Sequence, residues 1–106
     1  MSTKTAFFAE DEPLVRDVLR DAIYAHPALR LVGEAANGAD ALDRITRLRP
    51  EVVFMDIQMP EMTGLEVLRR LDYLPQIVFT TAYDQYAVTA FELNAVDYLL
   101  KPFTQA

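Results

Sequence analysis

The sequence of 106 residues contains no cysteine, only three glycines and one histidine. The missing cysteines exclude a disulfide framework and thiolate chemistry. No segment approaches the roughly 18 uninterrupted apolar residues of a transmembrane helix, so the sequence predicts no membrane span. Ten basic against sixteen acidic side chains give a net charge of −6. This balance works against binding of a nucleic-acid backbone by this chain, because such binding requires clustered lysine and arginine.

The sequence also lacks a secretory hydrophobic region, a linker, a repeat and a low-complexity tract. Its hydrophobic content of 52% is enough for one core. We therefore expect a single domain over residues 1–106, located in the cytoplasm. The one histidine, His26, precedes Pro27 at the end of a predicted helix. We expect it to cap that helix at the surface, and not to act as a phosphodonor or metal ligand.

Short apolar runs alternate with segments of helical periodicity. The runs predict strands at 5–9, Leu29–Ala35, 52–55, 77–79 and 98–100. Helices are predicted from Pro13 to His26, over 41–48, over 65–74 up to Pro75, and over 86–93. This alternation predicts an α/β fold with a parallel sheet and right-handed crossovers. Another helix would normally follow Lys101-Pro102-Phe103, so we expect the final helix to be missing and apolar surface to be left uncovered.

Polar side chains stand where the predicted strands end. They are Glu10 and Asp11, then Asp56, Thr81 and Lys101. Because the carboxyl ends of parallel strands form one edge of the sheet, these groups should meet where open α/β sheets bind ligands. Two carboxylates roughly 4 Å apart repel by about 4 kcal/mol at an effective dielectric constant near 20. A divalent cation such as Mg²⁺ would relieve this repulsion.

Each of these residues also has an ordinary interpretation. The acids at 10–12 could form a charged loop before a helix N-terminus. Asp56 could be a nucleophile, a metal ligand or both, or a plain aspartate at a strand end. Lys101 could extend its ammonium from a buried strand to solvent, and Thr81 could be a β-branched strand residue.

Five segments together resemble the receiver domain of bacterial response regulators, in order from about residue 5 to residue 103. They are Glu10-Asp11-Glu12-Pro13, Met55-Asp56-Ile57-Gln58-Met59-Pro60, Gly64, Phe79-Thr80-Thr81-Ala82 and Lys101-Pro102-Phe103. The resemblance implies a flavodoxin-like, doubly wound sheet of five parallel strands in the order 2-1-3-4-5. It also implies a signalling domain of a two-component system that controls a transcription-regulating effector.

The resemblance assigns a role to each matching position. Asp56 would accept a phosphoryl group from a histidine kinase or phosphotransfer protein. Asp11 and Asp56 would bind Mg²⁺ by their side chains, Gln58 by its main-chain carbonyl and Glu10 through water. Lys101 and Thr81 would contact the phosphoryl group, and Tyr98 would be the aromatic switch that moves with Thr81. Glu10 departs from the family pattern, in which an aspartate is more usual.

The segment from 80 to 100 resembles the LytTR subgroup, whose receivers precede a DNA-binding domain. DNA would then be contacted only by an effector that this sequence does not contain. Aromatic and apolar side chains of the segment are expected to form a partner surface: Tyr83, Tyr86, Val88 and Phe91. Phosphorylation would reshape this surface and promote homodimerisation of a full-length protein.

Other functional classes compete with this interpretation. A magnesium-dependent phosphatase also uses an aspartate nucleophile, but it needs a second acid two residues later, where Gln58 stands. A flavodoxin-like electron carrier needs a Ser/Thr/Gly-rich phosphate loop after the first strand, which is missing. A vestigial receiver that acts as a phosphorylation-independent interaction module stays possible. We expect no enzyme activity beyond phosphoryl transfer to and hydrolysis from Asp56.

Overall fold

The computed structural model describes residues 3–81 and 97–100. Strands and helices alternate along the chain in the predicted way. The elements are β1 Lys4–Ala9, α1 Pro13–Ala25, β2 Leu29–Ala35, α2 Gly38–Leu48, β3 Val52–Asp56, α3 Gly64–Arg70, β4 Gln76–Thr81 and β5 Asp97–Leu100. The predicted helix at 86–93 and residues 101–106, where the expected absence of a final helix would be seen, lie outside the described residues.

The sheet is parallel, with β1, β3 and β4 between its two ends and strand order β2-β1-β3-β4-β5. Helix α1 covers one face, where Phe8 of β1 packs with Leu19 and Ile23. The other face carries Phe7 and Val53 and lies under α2 and α3. Helices therefore lie on both faces, which confirms the doubly wound α/β arrangement for β2, β1, β3 and β4.

The alternation of side chains along the strands explains the two layers of the core. Successive residues of a strand point to opposite faces, so Phe7 and Phe8 of β1 enter different hydrophobic clusters. Both phenylalanines are fully buried. Burial of a large apolar side chain stabilises a fold by about 1.5–3 kcal/mol. The run of apolar residues in β1 thus joins the two layers.

The predicted end of helix α3 was wrong. Helix α3 ends at Arg70, whereas the leucine spacing predicted a helix up to Pro75. Leu71 is already extended, and Leu74 is 63% exposed. The extended segment lets the Tyr73 ring pack on the core while its hydroxyl donates to the Pro50 carbonyl oxygen at 2.7 Å. These tertiary contacts outweigh the helical periodicity.

The ends of β3 and β4 at the carboxyl edge also lie slightly beyond the predicted ends. Asp56 and Thr81 are the last residues of β3 and β4, whereas the sequence placed each just after its strand.

His26 follows α1 as its C-cap and is exposed, as expected. No helix within the described residues is long and apolar enough to cross a membrane.

Candidate functional site

Two acids follow β1 at the carboxyl edge of the sheet. The Glu10 backbone N–H donates to the Ala35 carbonyl oxygen at 3.0 Å, which ties the end of β1 to the end of β2. The Glu10 side chain is fully buried, and its Oε2 accepts a hydrogen bond from the Glu12 N–H at 3.0 Å. Asp11, between them, is exposed. The first turn after β1 therefore folds around the Glu10 carboxylate before α1 begins.

Asp56 reaches the same edge from the neighbouring strand. Ala9 pairs with Met55 in the sheet register. The residues that follow them, Glu10 and Asp56, therefore lie at the same level of the carboxyl edge. Asp56 is only 4% exposed, and its Oδ1 accepts a hydrogen bond from the Gln58 N–H at 3.1 Å. This bond orients the carboxylate at the start of the loop.

The acidic cluster of Glu10, Asp11 and Asp56 is compact. One carboxylate oxygen from each of the three residues lies within 4.8 Å of the other two. Oxygens bound to one Mg²⁺ at about 2.1 Å are roughly 3 Å apart when adjacent and roughly 4.2 Å apart when opposite. A small inward movement, or one intervening water, would bring this donor set into a magnesium shell. The residues therefore fit a hard divalent cation.

Two glycines at helix N-termini, Gly38 of α2 and Gly64 of α3, allow the backbone of the loop after β3 to come close to these helices. A Cβ at Gly64 would lie 2.3 Å from the Asp56 carbonyl oxygen, and the Gly64 N–H donates to the Ile57 carbonyl oxygen at 2.8 Å. A Cβ at Gly38 would lie 1.8 Å from the Met62 carbonyl oxygen. The N-terminus of α2 and the N-terminus of α3 thus hold the segment that carries Asp56 and Gln58.

The other predicted site residues are described less fully. Thr81 ends β4, and Tyr98 lies in β5, where its backbone pairs with Phe79. The roles assigned to their side chains stay predictions, as does metal binding by the Gln58 carbonyl. The remaining predicted residues lie outside the described residues: Lys101, Tyr83, Tyr86, Val88 and Phe91.

Sequence reasoning missed an ion-pair cluster beside the site. Glu34 of β2 accepts hydrogen bonds from Arg16 at 2.6 Å and from Nε and a terminal nitrogen of Arg20 at 3.1 and 2.7 Å. The Arg20 hydrogen bond is the main reason why the pKa of Glu34 lies below its usual value. These three residues form the paired cluster, which fixes α1 to β2. No local sequence pattern announces it, because its members belong to different elements.

Comparison with known proteins gives the same assignment along most of the chain. The family described as response regulator receiver domain matches residues 6–106. An uncharacterized response regulatory protein of Vibrio vulnificus is 50% identical over 100 residues, which are 92% of this chain and 41% of that protein. The transcriptional regulatory protein BtsR of Escherichia coli is 46% identical over 99 residues, again 92% of this chain and 41% of the relative.

A solved structure agrees with the fold. The response regulator domain of Thermotoga maritima CheB superposes with a TM-score of 0.89 at 27% identity, covering 96% of this chain and 81% of that one. The chain thus spans less than half of the length of the two curated relatives. Their names do not mention a LytTR domain, so this subgroup stays a prediction. The family match, the parallel sheet and the acidic cluster agree, and the chain belongs to the response regulator receiver domain family.

Proposed function

We propose that this chain accepts a phosphoryl group on Asp56 from the phosphohistidine of a histidine kinase or a phosphotransfer protein. The observation that carries the proposal is the position of Asp56, buried at the end of β3 with its carboxylate within 4.8 Å of those of Glu10 and Asp11. A carboxylate can act as a nucleophile toward phosphorus when nearby positive charge reduces its repulsion of the phosphate oxygens.

The acidic cluster would hold Mg²⁺, which supplies that positive charge. In the reaction, a carboxylate oxygen of Asp56 forms a bond to phosphorus while the bond from phosphorus to the imidazole nitrogen breaks. The bonding electron pair stays on the nitrogen, and the imidazole takes up a proton from solvent. The hydrogen bond from the Gln58 N–H keeps the Asp56 carboxylate oriented during the attack. Lys101 and Thr81 would contact the transferred group.

The downstream effect of phosphorylation would be control of transcription. BtsR is a transcriptional regulatory protein by name, and the chain matches 41% of its length. We therefore propose that the receiver controls a transcription-regulating effector. From the resemblance of residues 80–100 to the LytTR subgroup, we further propose that this effector is of the LytTR type and that it alone would contact DNA. We also propose that the protein acts in the cytoplasm. It would catalyse only phosphoryl transfer to Asp56 and hydrolysis from it, without turnover of a separate substrate.

The change on phosphorylation would pass through Thr81 and Tyr98 to the predicted partner surface and favour homodimerisation of the full-length protein. That surface consists of Tyr83, Tyr86, Val88 and Phe91. In the full-length protein, the Tyr98→Ala variant should still be phosphorylated but should lose the dimerisation that phosphorylation causes, measured by analytical ultracentrifugation. Normal phosphorylation-dependent dimerisation of this variant would contradict the role of Tyr98.

The central step can be tested by intact-protein mass after incubation with acetyl phosphate and Mg²⁺. The protein should gain one phosphoryl mass, and the gain should disappear without Mg²⁺ and in Asp56→Asn. Asp21→Asn is a matched control, because Asp21 is an exposed aspartate of α1 outside the acidic cluster. A wild-type protein that gains no mass would favour the alternative of a phosphorylation-independent interaction module.

A further inference from the structure

Thr80 is the residue of β4 that stands beside Asp56 of β3. The two residues are partners in the parallel register of these strands. Directly paired residues of neighbouring strands point to the same face of a sheet, with Cβ atoms roughly 5 Å apart. The Thr80 carbonyl oxygen also accepts a hydrogen bond from the Ile57 N–H at 3.2 Å, so its backbone is tied to the residue that follows Asp56.

The Thr80 side chain is fully buried, with 0% of its surface exposed. Its hydroxyl has no hydrogen-bond partner within the part of the chain that the structure describes. A buried hydroxyl without a partner destabilises a fold, and a valine would fill nearly the same space without that cost. Packing and β-propensity therefore do not explain why the residue at this position carries a hydroxyl group.

A partner can come to this hydroxyl at the neighbouring carboxylate. The proposed function brings a phosphoryl group, with three further oxygens, to Asp56. These oxygens are strong hydrogen-bond acceptors and would extend from Asp56 into the space that the two paired side chains share. The phosphoryl group would thus supply the hydrogen-bond acceptor that the Thr80 hydroxyl lacks among the described residues.

We propose that the Thr80 hydroxyl donates a hydrogen bond to an oxygen of the phosphoryl group on Asp56 and stabilises the phosphorylated state. The inference rests on the proposed function and adds a second hydroxyl to the one implied for Thr81.

The test uses beryllium trifluoride, an analogue of the phosphoryl group, with Mg²⁺ and the purified protein. Bound fluoride is measured by ¹⁹F nuclear magnetic resonance, and affinity is obtained by titration. Thr80→Val should bind about tenfold more weakly or worse, the size expected for loss of a hydrogen bond to a charged group. Thr80→Ser, which keeps the hydroxyl, should restore binding. Thr46→Val, an exposed position of α2, should bind like the wild type.

A second measurement separates this role from a purely structural one. Without ligand, the thermal midpoint of Thr80→Val should equal or exceed that of the wild type, because the variant removes a buried hydroxyl group without a partner. A lowered midpoint would show that the hydroxyl already has a partner and would contradict the inference. Unchanged affinity of Thr80→Val, or failure of Thr80→Ser to restore binding, would also overturn it. Failure of the wild type to bind would instead refute the proposed function, and this inference with it.

Discussion

Two groups of charged side chains at one corner of the molecule are built on opposite principles. In the paired cluster, Glu34 accepts hydrogen bonds from Arg16 and Arg20, and every member faces an opposite charge. In the acidic cluster, three carboxylates have oxygens within 4.8 Å of one another. Ion pairs of the first kind stabilise a fold by themselves, whereas like charges so close together repel. The contrast separates charges that hold the domain together from charges placed to receive a ligand.

The two groups are also connected. The Ala35 carbonyl oxygen that accepts from the Glu10 N–H belongs to the residue after Glu34. Both arginines of the paired cluster lie on α1, which begins three residues after Glu10. The ion pairs therefore anchor the helix that follows the acidic turn. We expect changes in the paired cluster to alter stability, and changes in the acidic cluster to alter the response to Mg²⁺.

The largest expected effect comes from forcing the loop away from the acidic cluster. Gly64→Ala would place a Cβ 2.3 Å from the Asp56 carbonyl oxygen, so backbone must move. We expect a loss of about 3 kcal/mol in the free energy of unfolding, measured in urea. Gly33→Ala is the control, because its Cβ would meet only side-chain atoms, the end of the half-exposed Leu48 at 2.9 Å and the buried Phe7 ring at 3.1 Å, so we expect a smaller loss. Equal losses in both variants would contradict the tight approach at Gly64.

The paired cluster should contribute less. Glu34→Gln removes the charge that both arginines contact, and we expect a loss of about 1 kcal/mol, because partial exposure screens the pairs. The control is Asp43→Asn, which breaks the exposed pair with Arg47 within α2 and should cost about 0.5 kcal/mol or less. If the two variants lose the same stability in urea, the paired cluster does not anchor α1 as described.

A stabilising change is expected in the loop after β3. Glu61 has a φ of 71°, a left-handed conformation that glycine adopts without strain. Glu61→Gly should raise the free energy of unfolding by about 1 kcal/mol or less, since glycine also gains entropy in the unfolded state. Glu61→Ala removes the same charge but keeps a Cβ, so it should not stabilise the protein. Equal stabilisation by both variants would assign the effect to charge.

The contribution of Glu34 should disappear in acid. The pKa of Glu34 is lowered in the folded protein, chiefly by the Arg20 hydrogen bond. The ionised carboxylate therefore stabilises the folded state fully at pH values above its reference pKa of 4.5. This stabilisation is lost as the pH falls through the folded-state pKa. The difference in stability between the wild type and Glu34→Gln should therefore shrink toward zero below that pH. A difference that stays constant from pH 7 into this acidic range would refute the charge-based explanation.

The sequence was sufficient for the fold and for the acidic cluster because both depend on local periodicity and on where strands end. Asp56 and Glu10 follow β-prone apolar runs, and a parallel sheet necessarily brings those ends together. The end of α3 could not be read in this way, since Leu71 and Leu74 continue the helical spacing and only the packing of Tyr73 interrupts it.

The other omissions also have physical reasons. Glu34 looked like a polar residue of a half-exposed strand, and its partners are 14 and 18 residues away in sequence. Thr80 has high β-propensity, so nothing in the sequence distinguishes its hydroxyl from that of any strand threonine. Its lack of a partner within the described residues is visible only when burial and strand register are known together.

The most direct test of the central claim is a Mg²⁺ titration of the thermal midpoint in three proteins. Mg²⁺ should raise the midpoint of the wild type and of Glu34→Gln by similar amounts, because both keep the acidic cluster. It should have little effect on Asp56→Asn, which removes one of the three carboxylates of the acidic cluster. Equal stabilisation of all three proteins by Mg²⁺, or none in the wild type, would contradict a cation site at Glu10, Asp11 and Asp56.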